Sequence, residues 1–188
     1  MFCGRKKYNI FRVVMGTRKL YNIRKFISAV TFTGVIFHEF GHQIFCFLTG
    51  VRVYRVCYFR LGNPAGYVVH EQPKNFTQSF LITVGPLISG TAFALLFFFM
   101  AQAPGAGNWQ AAVFIWLGMS VAVNAFPSHT DAKNLWRGSN RHIAGNLFAV
   151  IGYPFAALIW LANSLQLVFF DVLFALFLYY LVNPGLLH

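Results

Sequence analysis

The sequence predicts an all-α polytopic membrane protein, with about five transmembrane helices and a small β-hairpin between the first and the second. Three observations predict it. Of the 188 residues, 57% are hydrophobic and only 10% charged, with a mean hydropathy of +0.58, whereas a soluble domain of this size covers its surface with charge. The stretches between charges approach or exceed the ~20 residues that a helix needs to cross a bilayer. After about Val51 the apolar run gives way to β-branched and aromatic residues around a Gly-Pro turn, the pattern of a hairpin.

Residues 1–25 form a basic N-terminal segment. Eight of the chain's 15 Lys and Arg lie between Arg5 and Lys25, against four acids in the whole chain, for a formal charge of +11. From Tyr8 to Arg24 the bases alternate with Ile, Phe, Val and Leu, which suits an interfacial helix on anionic headgroups. Nothing else in the chain supports nucleic-acid binding, and none is expected. A cleaved signal peptide is not expected either, because the first hydrophobic segment carries the motif described below.

The first apolar stretch runs from about Phe26 to Leu48. The hairpin follows from about Val51 to His70: Val51, Val53, Arg55, Tyr58 and Phe59 are strand formers, Gly62-Asn63-Pro64-Ala65-Gly66 is turn chemistry, and Tyr67, Val68 and Val69 resume a strand. An open sheet edge cannot face lipid, so the hairpin lies at the interface, in a protein cavity, or against a peptide that completes it. The second stretch, about Thr77 to Ala101, ends at the breaker Pro104-Gly105-Ala106-Gly107. A third runs from about Trp109 to Phe126 and stops at Pro127; a fourth, from about Ile143 to Ala162, contains Pro154, which is expected to kink it. After a short break at Asn163 and Ser164 the fifth covers about Leu165 to Val182. Three helices and the hairpin thus form a core over residues 26–136, with a C-terminal helical pair over 137–188. Cys3, Cys46 and Cys57 form no C-x-x-C pair and give neither a disulfide framework nor a thiolate cage.

Within the first stretch, Val35-Ile36-Phe37-His38-Glu39-Phe40-Gly41-His42 sets three ionisable groups in an apolar run. Helical spacing puts His38 and His42 one turn apart on one face, where both imidazoles reach one metal ion. Glu39 lies beside that face, placed to take a proton from metal-bound water. Intramembrane carboxylates are expensive, about 2.5–3.5 kcal/mol on insertion scales for comparably charged residues, and are usually paired or functional. The pattern points to zinc, which in catalytic sites takes three protein ligands and leaves one position for water. The third ligand must come from elsewhere. The first and third stretches run in the same direction, so Asp131, just past the third, reaches the same membrane face as His42; His129, Glu71 and Asp171 are the alternatives.

Together with His38-Glu39-Phe40-Gly41-His42, the hairpin Asn63-Pro64-Ala65-Gly66-Tyr67, the Val84-Gly85-Pro86 of the second stretch and Asn124-Ala125-Phe126-Pro127 leading to Asp131 resemble the site-2 protease family of intramembrane zinc metalloproteases. The resemblance covers about Phe26 to Trp136, which makes 26–136 the expected metalloprotease core. It implies Asp131 as the third zinc ligand, and a hairpin that lies against the membrane and helps to present substrate. Thr130-Asp131-Ala132 replaces the family's usual Leu-Asp-Gly, and there is no insertion large enough for a PDZ-type domain.

The function expected is peptide-bond hydrolysis in a membrane protein or peptide substrate, with Glu39 as general base and zinc on His38, His42 and Asp131. Unwound substrate adds to the edge of the hairpin. Asn63, Gly66 and Asn124 are expected near the substrate; Asn63 or Asn124 can donate to the developing oxyanion, although a satisfied polar residue in a turn or helix is the commoner role for either. Membrane di-iron oxidases share an H-x-x-x-H box but need more histidines than the remaining His70, His129, His142 and His188. The other alternative is a catalytically inactive metal-binding protein of the same fold, which has no need of Glu39. Basic residues stand on both sides of the first stretch, so the positive-inside rule assigns no orientation.

Overall fold

The computed structural model describes residues 23, 26–62, 64–105 and 107–184. The chain divides into two units, residues 1–30 and 31–188. In the first, Ile23 and residues 26–30 are helical, and the remainder of the basic segment lies outside the described residues.

The second unit holds α1 (Phe32–Leu48), strands β1 (Val53–Cys57) and β2 (Tyr67–His70), α2 (Phe76–Met100), α3 (Asn108–Val123), α4 (His129–His142), α5 (Gly152–Leu165) and α6 (Phe170–Val182), with 3-10 turns at Leu147–Ile151 and Gln166–Val168 leading into α5 and α6. The chain is mostly helical with one antiparallel hairpin, as the sequence predicts. Its register pairs Val53 with His70 and Cys57 with Tyr67, with an irregularity between Val53 and Arg55. Two helical segments, Phe76–Met100 and Leu147–Leu165, are long and apolar enough to cross a membrane; α3 and α6 are apolar but shorter.

α2 is the centre of the unit. It begins at Asn75, whose Oδ1 accepts the Gln78 N–H at 2.9 Å, and its 25 residues extend about 37 Å. α1 packs antiparallel to it: Phe37 meets Phe93 and Phe97, while at the other end Gln78 Nε2 donates to the Thr49 carbonyl at 2.9 Å. α3 also runs antiparallel to α2, with Phe97 on Phe114 and Phe98 against Gly118. α1 and α3 are therefore parallel, as the sequence predicts, and staggered so that Ser120 lies at Gly34 and Asn124 at His38. α6 covers this layer, placing Phe170 and Phe174 on Phe126 and Tyr179 on Phe98. The α4–α5 pair packs around Phe76, Ala132, Leu135, Ala149, Ala156 and Ile159.

Three details differ from the sequence reading. The polar helix α4 stands where no element is expected, and the boundary expected after residue 136 falls inside it. Its polar composition hides it from a reading based on apolar length, yet Ala132, Leu135 and Ser139 form a buried stripe at helical spacing. The break expected at Asn163 and Ser164 lies at residues 166–169 instead. Asn163 Nδ2 donates to the Pro127 and Ile159 carbonyls and stays helical, and the chain turns at Phe169 with φ of +63°. Pro154 falls in the first turn of α5, directly after the 3-10 turn Leu147–Ile151, so it stands where 3-10 gives way to α geometry.

Candidate metal centre

His38 and His42 lie one turn apart on α1 with ring centroids 5.0 Å apart. His38 Nδ1 is 2.8 Å from the Asn124 carbonyl oxygen, and His42 Nδ1 is 2.9 Å from that of Ile82. A carbonyl can only accept, so each Nδ1 carries a hydrogen, and in the neutral ring Nε2 keeps its lone pair. Close helix approach makes both bonds possible. Gly34 has no room for a Cβ against the Ser120 carbonyl, and a Cβ on Gly41 would meet Ser89 Oγ at 2.5 Å and Pro86 Cα at 2.8 Å.

Asp131 enters from α4, where it is the third helical residue of a capping box. Its Oδ2 accepts from the Ser128 backbone N–H and from Ser128 Oγ, both at 2.7 Å, and Ser128 Oγ accepts the Asp131 N–H at 3.3 Å. The carboxylate thus arrives with its orientation fixed by its own helix. His42 Nε2 lies 3.3 Å from Asp131 Oδ1, and His38 Nε2 lies 3.7 Å from Oδ2. Burial alone would raise the Asp131 carboxyl; with the imidazoles protonated, the charge of His42, hydrogen bonds from both rings and the charge of His38 hold it well below the usual carboxylate range.

One ligand atom from each of the three residues lies within 4.8 Å of the others, and among the described residues this is the group that can hold a metal ion. The donor set fits one: two imidazole lone pairs and a carboxylate oxygen face a common point, an arrangement that repels itself unless a cation or protons lie between. The alternatives lie elsewhere. His129 is exposed at the start of α4, Glu71 follows β2 with its N–H on the Arg52 carbonyl, and Asp171 is buried at the start of α6. Cys46, one turn beyond His42, packs with Val51 and Ile82.

Glu39 is buried, within electrostatic range of His38, His42 and Asp131. Gly66, at the entry to β2, lies directly on it: a Cβ at that position would come within 2.6 Å of Glu39 Cγ and 2.9 Å of Oε1. The hairpin therefore covers Glu39, with Tyr58 OH bonded to Gln43 Oε1 one turn along α1. Asn124 takes the commoner of its two expected roles, a satisfied polar residue. Its Nδ2 donates to the Thr31 carbonyl, Thr31 Oγ1 and the Ser120 carbonyl at 2.9–3.1 Å, so its donors are engaged within the fold, and its carbonyl orients His38. Asn63 lies outside the described residues. The sequence reading missed Ser128, although Ser128-His129-Thr130-Asp131 carries the S-x-x-D signature of a helix start, and it missed the orienting carbonyls, which no side chain announces. No protein-family model, curated protein or solved structure matches this chain.

Proposed function

We propose that this protein is a multi-pass intramembrane zinc metalloprotease of the site-2 protease type, hydrolysing peptide bonds of membrane-embedded substrates. One observation carries the reading: Glu39 lies beside a His2Asp ligand set, among apolar helices, under the edge of a hairpin. Two imidazoles and one carboxylate suit zinc, whose tetrahedral ligands stand roughly 3.3 Å apart at the usual bond lengths. The His42–Asp131 separation of 3.3 Å is at that spacing and the His38–Asp131 separation of 3.7 Å is somewhat wider.

When bound, zinc supplies a Lewis acid that lowers the pKa of water toward about 7 and polarises the substrate carbonyl. His38, His42 and Asp131 hold it. Their Nδ1 and Oδ2 hydrogen bonds fix the direction of each ligand atom before the metal arrives. Glu39 makes no hydrogen bond among the described residues, which leaves its carboxylate free to work as a base. It takes a proton from the attacking water as the new C–O bond forms, and delivers it to the amide nitrogen as the C–N bond breaks. Each strand of the two-stranded sheet has one unpaired edge among the described residues, so an unwound substrate segment can replace its lost helical hydrogen bonds there, next to the base.

The test uses detergent-purified protein, with single-span test proteins as substrates and zinc measured on the same samples. Wild type is expected to carry about one zinc and to cleave; Glu39→Gln is expected to keep the zinc and lose about 10²–10⁴-fold in rate. Cleavage that survives this change removes Glu39 from the mechanism, and a folded wild type without zinc ends the metalloprotease reading.

A further inference from the structure

Pro86 lies in the interior of α2 and is fully buried. In an α-helix the N–H of residue 86 would bond the carbonyl of residue 82. Proline has no N–H, and its ring pushes that carbonyl outward from the helix. A buried carbonyl left in this way needs another donor. The donor is His42: its Nδ1 lies 2.9 Å from the Ile82 oxygen in a buried setting. We infer that Pro86 is a positioning residue for the metal ligand His42, because by lacking an N–H it reserves the Ile82 carbonyl for the imidazole. The inference rests on the metal-binding reading of His38, His42 and Asp131.

Two further observations support it. Pro86 Cα and N also form the surface against which Gly41 packs, one residue before His42, so the freed carbonyl and the close approach of α1 to α2 occur at the same level. His38 is held by the same device from another source. Its partner carbonyl belongs to Asn124, the C-cap of α3, where the end of the helix leaves carbonyls without intrahelical donors. The usual orienting partners of metal-bound histidines are carboxylates, backbone carbonyls or water. With only four carboxylates in the whole chain, the fold orients both rings with carbonyls that helix geometry leaves over, one at a helix end and one at a proline.

The test compares Pro86→Ala with Pro86→Val. Both restore the N–H, but valine keeps approximately the volume of the ring. Zinc affinity is read by chelator competition, and the His42 tautomer by nitrogen NMR of histidine-labelled, metal-free protein. Both variants are expected to bind zinc about 10–100-fold more weakly and to convert His42 from a pure Nδ1–H tautomer to a mixture, while the His38 signal stays put and reports an intact fold. Unchanged affinity and tautomer in Pro86→Val would overturn the inference, as would a loss seen only in Pro86→Ala, which would make Pro86 a packing residue. If wild type binds no zinc, the metal reading falls on its own, and the metal-free tautomer still decides whether Pro86 governs His42.

Discussion

His38 and His42 lie on a helix whose only other charged residue is Glu39, and each ring is fixed by a carbonyl more than 35 residues away in sequence, on α2 or at the end of α3. Asp131 lies on a polar helix and is fixed by Ser128, three residues back. One half of the site is thus set by tertiary packing and the other by local structure. Loosening the α1–α2–α3 contacts scatters the histidines but leaves the aspartate correctly presented by its own helix, so the two halves should fail in different ways.

The largest effects are expected from His42→Ala and Asp131→Ala, each of which should empty the site of zinc and end cleavage. The comparison lies in what accompanies the loss. His42→Ala leaves the Ile82 carbonyl buried without its donor, at a stability loss of about 1–3 kcal/mol, whereas the partly exposed Asp131 takes less with it. Thermal unfolding of the metal-free variants checks this, and a greater loss in Asp131→Ala would break the division.

Acid should release zinc next in order of size. Both imidazoles must offer an unprotonated Nε2 to bind, so zinc affinity should fall steeply as pH drops and protons compete with the metal for the two nitrogens. Asp131 does not set this step. A carboxyl whose folded-state pKa is depressed contributes stability that is present above its unfolded value of about 3.9 and is lost only as pH falls through the folded value. Zinc titrations across pH that break in the carboxylate range would contradict this assignment.

Gly66→Ala should act on Glu39 and not on the ligands. The added methyl pushes against the Glu39 side chain, and a misplaced base should lower turnover about 100-fold with zinc content unchanged. Ser128→Ala is the mildest. It removes the hydroxyl bonds of the capping box but leaves the Ser128 N–H on Asp131, so a loss of about 1 kcal/mol in stability and about tenfold in zinc affinity is expected. A larger affinity loss would mean that the local half depends on this one hydroxyl.

The same division explains what the sequence discloses. The H-E-x-x-H spacing gives the relation of His38 to His42 because helical periodicity alone fixes it, and the hairpin is legible because Gly62 to Gly66 can hardly be anything but a turn. The parallel run of α1 and α3, and hence the arrival of Asp131, follows from counting apolar stretches. α4 escapes that count because it is polar and short, although its capping box is written in Ser128 and Asp131. Asn124 is legible as a satisfied polar residue but its particular use is not: the fold employs its amide to tie α1 to α3 and its carbonyl to aim His38. Orientation by backbone leaves no trace in residue identity except where, as at Pro86, a residue lacks an N–H.

Hydrolysis consumes one water for every bond cut, and apolar helices do not supply it. Of the three residues in the candidate centre, Asp131 is the one with a polar, exposed neighbourhood: His129, Thr130, Lys133 and Asn134 beside it on α4 are all exposed. On the proposed function, that face is an aqueous approach laid along the protein, by which the second reactant arrives at His38, His42 and Asp131 without crossing lipid. On the same proposal the hairpin side receives the peptide and the α4 side admits water, so the two reactants meet at Glu39 from different directions and need not compete for one entrance.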